Sequence, residues 1–224
     1  MKKPRICGVI VNKDLEKVRE VEPLVELFEV RIDLIGEGWE GLAGQLKKPW
    51  MACNRRADEG GKWSGSEKGR VNELLRAVEI GADIVDLELR TGNLAKVVSM
   101  VKGRSKCLLS FHDLNGTGSP GELKGLIQRQ LEAGADICKV VTTARSFEDN
   151  LTTLQLITEF PGKKVLSFAM GPLGLVSRVL CPLVGGYFSY ASIEKGRESA
   201  PGQMTVGELM RVYEQLSSSF RGED

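Results

Sequence analysis

A lysine stands inside an apolar run, Asp136-Ile137-Cys138-Lys139-Val140-Val141. Withdrawal from water disfavours the ammonium. An amine without its proton attacks a carbonyl and forms an imine. The same residue could instead snorkel at a strand edge, or pair with Asp86 or Glu88. The one histidine of the chain, His112, ends a second apolar run that begins at Cys107. An imidazole with a pKa of about 6.5 suits proton transfer. Glu59, Asp86, Glu88 and Asp113 are candidates to orient it. Arg31, Arg55 and Arg178 follow three further runs. Together they could hold an anion such as a carboxylate; separately, each is an ordinary ion-pair partner. Strand alternation places Glu29, Arg31 and Asp33 on one face, and likewise Asp86 with Glu88.

Groups so far apart in sequence need a frame that gathers them. Apolar runs at 6–11, 25–31, 49–54, 83–88, 106–111, 136–142, 164–169 and 186–190 read as strands. Helical patterns at 68–80, 121–133, 146–159 and 203–216 lie between or after them. Continuous apolar strands alternating with helices predict a parallel sheet covered by helices. Eight units share 224 residues. That length predicts an α/β fold, a single-domain (β/α)8 barrel over 1–224, in preference to an open doubly wound sheet. Barrels carry their chemistry at the C-terminal ends of the strands, where the polar residues above fall. An internal echo agrees: E-I-G-A-D-I at 79–84 returns as E-A-G-A-D-I at 132–137, two units later. In each copy the glycine is placed to end a helix and the aspartate to open a strand.

Composition excludes several classes. With 42% apolar and 27% charged residues the chain is not disordered. A net charge of +1 without basic blocks points away from nucleic acid and anionic membrane. Five scattered cysteines and one histidine offer no zinc spacing. Buried reduced thiols and a cytoplasmic protein are the expectation. The apolar run after Lys2 and Lys3 ends by Asn12, too early for a signal peptide. No stretch of about 18 apolar residues occurs. Gly116-Thr117-Gly118-Ser119-Pro120-Gly121 matches G-x-G-x-x-G. The acid a dinucleotide fold needs at the end of the next strand is missing, since Asp136 opens that strand. Neither a P-loop nor G-x-S-x-G is present.

Read in order, E-V-R-I-D at 29–33, R-R-A-D-E-G-G at 55–61, D-L-E-L at 86–89, S-F-H-D at 110–113, C-K-V at 138–140, S-R at 177–178 and S-A-P-G-Q at 199–203 resemble the type I 3-dehydroquinate dehydratase family over nearly the whole chain. The resemblance implies a (β/α)8 barrel of the shikimate pathway that converts 3-dehydroquinate to 3-dehydroshikimate without metal or organic cofactor. It implies a Schiff base on Lys139, His112 as general acid and base, and Glu59 as the group that orients His112. Glu29, Arg31 and Arg55 would hold hydroxyls, and Arg178 the carboxylate. Ser199 and Gln203 would close over the substrate from the 196–203 loop. A small-molecule substrate is the expected partner, and a homodimer is compatible with the family. The chain departs from the pattern at strand 1, which reads Cys7-Gly8-Val9-Ile10 where larger members end in a serine. The aromatic expected before the last loop is Tyr190, with Phe188 as competitor. Two rival readings stand beside this one. A class I aldolase would also use Lys139, but the loops after strands 7 and 8 lack a Gly-rich phosphate cradle. A non-catalytic barrel would bind an acidic metabolite or a protein.

Overall fold

The structure, a computed structural model, describes residues 4–219. Eight strands form one sheet: β1 (Ile6–Ile10), β2 (Leu27–Arg31), β3 (Trp50–Cys53), β4 (Ile84–Glu88), β5 (Lys106–His112), β6 (Ile137–Thr143), β7 (Val165–Met170) and β8 (Ser189–Ser192). All pairings are parallel, in the order β7-β6-β5-β4-β3-β2-β1-β8. The sheet curls into a nearly closed barrel. Just ahead of β8, Tyr187 N–H donates to the Val165 carbonyl at 3.0 Å across the remaining seam.

Helices fill the crossovers. They are α1 (Leu15–Val21), α2 (Ile32–Ile35), α3 (Trp39–Ala43), α4 (Glu67–Glu79), α5 (Leu94–Val101), α6 (Pro120–Glu132), α7 (Glu148–Thr158), α8 (Leu175–Leu180) and α9 (Val206–Ser219). Serines start the two longest internal ones. Ser66 Oγ accepts from Gly69 N–H at the head of α4. Ser119 and Glu122 cap each other at the head of α6, with Pro120 in the first turn. The second half of the glycine-rich segment is therefore a helix start.

The 79–84 and 132–137 echo is structural. Gly81 (φ +98°) and Gly134 (φ +95°) end α4 and α6 in the left-handed region. The aspartates that follow cap neighbouring strands. Asp83 Oδ2 accepts from Trp50 N–H at 2.9 Å, and Asp136 Oδ2 from Cys107 N–H at 2.8 Å.

Two apolar layers hold the barrel. Outward-facing Phe28, Val30, Ala52, Val85, Leu87 and Leu109 pack with Leu74, Ala77 and Val78 of α4 and Val97, Val98 and Val101 of α5. Inward, Leu27, Met51, Ile84 and Leu108 belong to a second buried cluster. Two residues further along β2, β4 and β5 the inward positions turn polar, at Glu29, Asp86 and Ser110. The strand expected at 186–190 lies instead at 189–192. A short 3-10 turn at Cys181–Val184 ends in Gly185 at φ +106°, and Gly186 N–H bonds back to the Cys181 carbonyl, which delays the strand. A side chain at Gly186 would collide with Cys181. All five cysteines are buried and unbonded. No helix among the described residues is long and apolar enough to cross a membrane.

Candidate active site

Lys139 projects from β6 and is 5% exposed, so the lysine in the apolar run is withdrawn from water. Its Nζ lies 3.1 Å from Asp86 Oδ2 and 4.4 Å from the Tyr190 ring centroid. The pairing with Asp86 that the sequence offered as an alternative is present, and the amine also lines a cavity. Asp86 on β4 is fully buried. Burial pushes its carboxyl up, but Arg55, Lys139 and the Ser110 hydroxyl outweigh that and hold it below its usual range. Ser110 Oγ donates to Asp86 Oδ1 at 2.6 Å.

His112 ends β5. Glu59 Oε2 accepts from the His112 backbone N–H at 3.1 Å and lies 3.0 Å from the ring Nδ1. An oxygen that already accepts a backbone amide offers the ring a lone pair. Nδ1 then carries the hydrogen, and Nε2 is left as the basic nitrogen. Burial, followed by Arg55, Lys139, Arg31 and Arg178, holds the imidazole well below its usual pKa, so it is neutral. Burial raises the Glu59 carboxyl to about 7 against the pull of Arg55. The local sequence makes this approach. Ala57–Glu59 is one 3-10 turn, Gly60 follows at φ +85°, and a Cβ on Gly61 would strike the Arg55 carbonyl.

The three arginines separate in role. Arg31 makes a two-pronged pair with Asp33, at 2.9 and 2.7 Å. Arg55 donates to Glu88 Oε1 at 2.9 Å, to Ser110 Oγ at 2.7 Å and to Asp86 Oδ2. Arg178, on α8 and 4% exposed, has no carboxylate partner among the described residues. It reaches only the Pro201 carbonyl at 3.5 Å, its Nε is unpartnered, and its guanidinium lies 4.6 Å from the Phe168 ring. Burial lowers its pKa to about 10. A buried cation without a counter-ion is a site for an anion. Glu29 is buried with Oε1 unpartnered, and burial raises its carboxyl.

One cavity of about 300 Å³ gathers Glu29, Arg31, Arg55, Glu59, His112, Lys139, Arg178, Ser199 and Gln203. Every site residue expected from the sequence is on its wall. Gln203 Oε1 accepts from Ser199 N–H at 2.8 Å and Ser199 Oγ at 3.2 Å, so these two fix one another. Gly171 N–H at the end of β7 donates to the Pro201 carbonyl at 3.2 Å, which ties the loop across the mouth of the barrel. Of the two aromatic candidates before the last loop, Tyr190 and not Phe188 lines the cavity. Glu29, Cys53 and Asp86 each present one donor atom within 4.8 Å of the others. Asp86 already faces two fixed cations, Arg55 and Lys139, whose charge opposes a metal ion there.

The type I 3-dehydroquinase family model matches residues 6–219. A 3-dehydroquinate dehydratase of Dehalococcoides mccartyi is 44% identical over 97% of this chain and 98% of its own. The chain belongs to the type I 3-dehydroquinase family. The dehydratase of Methanosarcina acetivorans is 36% identical over 96% of both chains. Among solved structures, the Geobacillus kaustophilus 3-dehydroquinate dehydratase is 28% identical with a TM-score of 0.83, over 97% of this chain and 92% of that one. The Clostridium difficile type I enzyme, at 24% identity and a TM-score of 0.86, covers 98% and 94% and shares the fold. As a type I 3-dehydroquinase the chain is a hydro-lyase, and the family and relatives support dehydration of 3-dehydroquinate in the shikimate pathway. The aldolase and non-catalytic readings give way to it.

Two residues behind this dehydroquinase site have roles that their sequence positions do not show. Ser110 was quoted only as part of a strand end, yet it bridges Asp86 and Arg55. Arg70 falls within the helical pattern at 68–80, yet it is wholly buried against Glu88. The available signal was periodicity: Arg70 shares one face of α4 with Leu74, Ala77 and Val78. An arginine on an apolar stripe needs a buried acid to meet it.

Proposed function

We propose that the chain dehydrates 3-dehydroquinate through an imine on Lys139, with His112 as the proton carrier. One observation carries this reading. A single cavity is lined by a buried amine, a neutral imidazole held through Nδ1, and a guanidinium lacking a carboxylate.

In its unprotonated form Lys139 Nζ attacks the ketone carbon. The carbinolamine loses water and leaves a protonated imine. Asp86, kept ionised chiefly by Arg55, balances that charge from beside the nitrogen. The imine draws electrons from the adjacent carbon, so Nε2 of His112 can remove a proton there, and the pair becomes an enamine. The enamine expels the hydroxyl β to the imine carbon, which takes the proton back from His112 and leaves as water. A second water hydrolyses the conjugated imine, frees Lys139 and releases 3-dehydroshikimate. Proton transfer of this kind contributes about 10²–10⁴-fold. Glu59 sets the tautomer of His112. Arg178 takes the substrate carboxylate, and Glu29, Arg31 and Arg55 line the hydroxyl side. Ser199 and Gln203 cover the bound ring.

The test is borohydride reduction during turnover. Protein incubated with 3-dehydroquinate and borohydride should gain one substrate-derived adduct by intact mass, mapped to the Lys139 peptide. Dehydratase activity without an adduct, or with one on another lysine, would sink the mechanism.

A further inference from the structure

Arg70 touches neither the cavity nor Lys139, yet it is completely buried on the inner face of α4. Its Nη1 donates to Glu88 Oε2 at 2.5 Å and to the Asn54 carbonyl at 3.1 Å. Its Nη2 donates to Thr91 Oγ1 at 3.0 Å and Glu67 Oε1 at 2.9 Å, and its Nε to Glu67 Oε2 at 2.8 Å. Glu88 offers its other oxygen to Arg55 Nη1, whose Nη2 reaches Asp86, which in turn accepts from Lys139. Charges thus alternate from the α4 surface inward: Glu67, Arg70, Glu88, Arg55, Asp86, Lys139. Between the two ends, every acid lies between two cations and every cation between two acids. In a low-dielectric interior such a chain is stable only while each member keeps its neighbours.

We infer that Arg70 is a positioning residue for imine formation: by fixing Glu88 it keeps Arg55 shared between Glu88 and Asp86, and so keeps Asp86 aligned on Lys139. The inference rests on the imine reading above. Without Arg70, Glu88 retains Arg55 as its one ionised partner and the Arg56 backbone N–H at 3.3 Å. Arg55 is then drawn toward Glu88 and away from Asp86. Asp86 faces Lys139 on β6 and Ser110 on β5, Glu29 on β2, Cys53 and Arg55 on β3 and just after it, and Tyr190 on β8. Only Arg55 and Lys139 among these are cations, so a loosened Arg55 leaves Lys139 alone to orient the carboxylate.

The experiment is a double-mutant cycle read by timed borohydride quenching in the single turnover. Arg70→Met should slow imine formation about 10²-fold and change the KM for 3-dehydroquinate less than about twofold. In a Glu88→Gln background the same substitution should slow it no further, because the path through Glu88 is already cut. Arg70→Lys should restore part of the rate. If Arg70→Met does not fold, Arg70→Lys with and without Glu88→Gln serves as the cycle and is read the same way. A wild-type imine rate in the Arg70 variant, or an equal loss in both backgrounds, overturns the inference and leaves Arg70 as a brace for Asn54 and Thr91. No adduct in the unmutated protein would overturn the imine reading itself, which separates the two failures.

Discussion

The two ends of the barrel use carboxylates in opposite ways. At the N-terminal end, Glu26, Asp83 and Asp136 each accept one backbone N–H, from Ile6, Trp50 and Cys107, at 2.6–2.9 Å. Asp83 and Asp136 are exposed, so water shares their charge and each bond closes a strand start at small cost. At the C-terminal end, Glu29, Glu59, Asp86 and Glu88 are all buried. Water is excluded there, and Asp86 and Glu88 are held by ionised arginines or lysine. The same end carries buried polar atoms without partners, Glu29 Oε1, Glu59 Oε1, Arg178 Nε and Tyr190 Oη, all on cavity residues. At one end the three carboxylates complete strand hydrogen bonds within the chain. The other leaves them open toward a space the size of a small acid.

The largest break in that contrast is Lys139→Ala. Turnover should fall below detection and the borohydride adduct should vanish, while the thermal transition stays cooperative. Asp86 keeps Arg55 and Ser110 as partners in that variant. Measurable dehydration by it would remove the covalent step. His112→Ala should still give the adduct but turn over about 10²–10⁴-fold more slowly. Failure to form the adduct would make His112 a binding group.

The Glu59 carboxyl gives this end a pH signature. Its pKa is raised from 4.5 to about 7 by burial. The folded chain therefore binds more protons than the unfolded one between those values. Its contribution to stability is full below about 4.5 and is lost as pH rises through about 7. His112 is neutral throughout the upper range, so kcat should climb with pH as Glu59 ionises, half-maximal at about 7. Glu59→Gln should remove that limb of the profile and flatten stability against pH over the same window. An unmoved acid limb in the variant would assign it to another group.

Arg178→Met sharpens the comparison, because the two ends should trade. Losing one ionised hydrogen-bonding group costs roughly 1.5–3 kcal/mol, so KM for 3-dehydroquinate should rise about 10–100-fold. The free protein should become more stable, since a buried cation without a counter-ion is replaced by an apolar chain of similar length. A fall in melting temperature together with an unchanged KM would mean that Arg178 is a structural brace.

How much of this was legible follows the same division. The strands were readable because parallel strands covered on both faces are apolar runs, and Lys139, His112 and Arg178 stood out against them. Their convergence followed from the barrel, and all nine expected site residues share one cavity. What could not be read was pairing. The i,i+2 spacing sets Asp33 on the face of Arg31, but nothing in it says that Arg55 meets Asp86 and Glu88 while Arg178 meets no acid. Arg70 was hidden because a helix pattern is scored on its apolar positions, and its partner Glu88 is 18 residues away on another element. The start of β8 was misplaced because Gly185 and Gly186 turn the chain before the aromatic run can pair. The Gly-Ala-Asp echo was readable as a repeat. Its meaning, an aspartate lent to the strand next door, belongs to the sheet register.

That lent aspartate gives the smallest effect and the cleanest control. Asp136→Ala removes the acceptor of the Cys107 N–H at the start of β5, five residues below His112 on the same strand. Cys107 is buried but Asp136 is exposed, so water can take the place of the carboxylate, and the cost is that of one hydrogen bond, about 1 kcal/mol. For a chain of this size it lowers the melting temperature by about 2–4 °C. Between that amide and the ring of His112 lie Leu108, Leu109 and Ser110, fully buried and laddered to β4 and β6, and then the half-buried Phe111, laddered to β6. A close-packed strand held on both sides does not pass a frayed first residue to its last one. The kcat of Asp136→Ala should therefore equal that of the unmutated protein at a temperature where both are folded. A loss of kcat under those conditions would show that the two ends are coupled through β5, and the separation of stability from reactivity would fall.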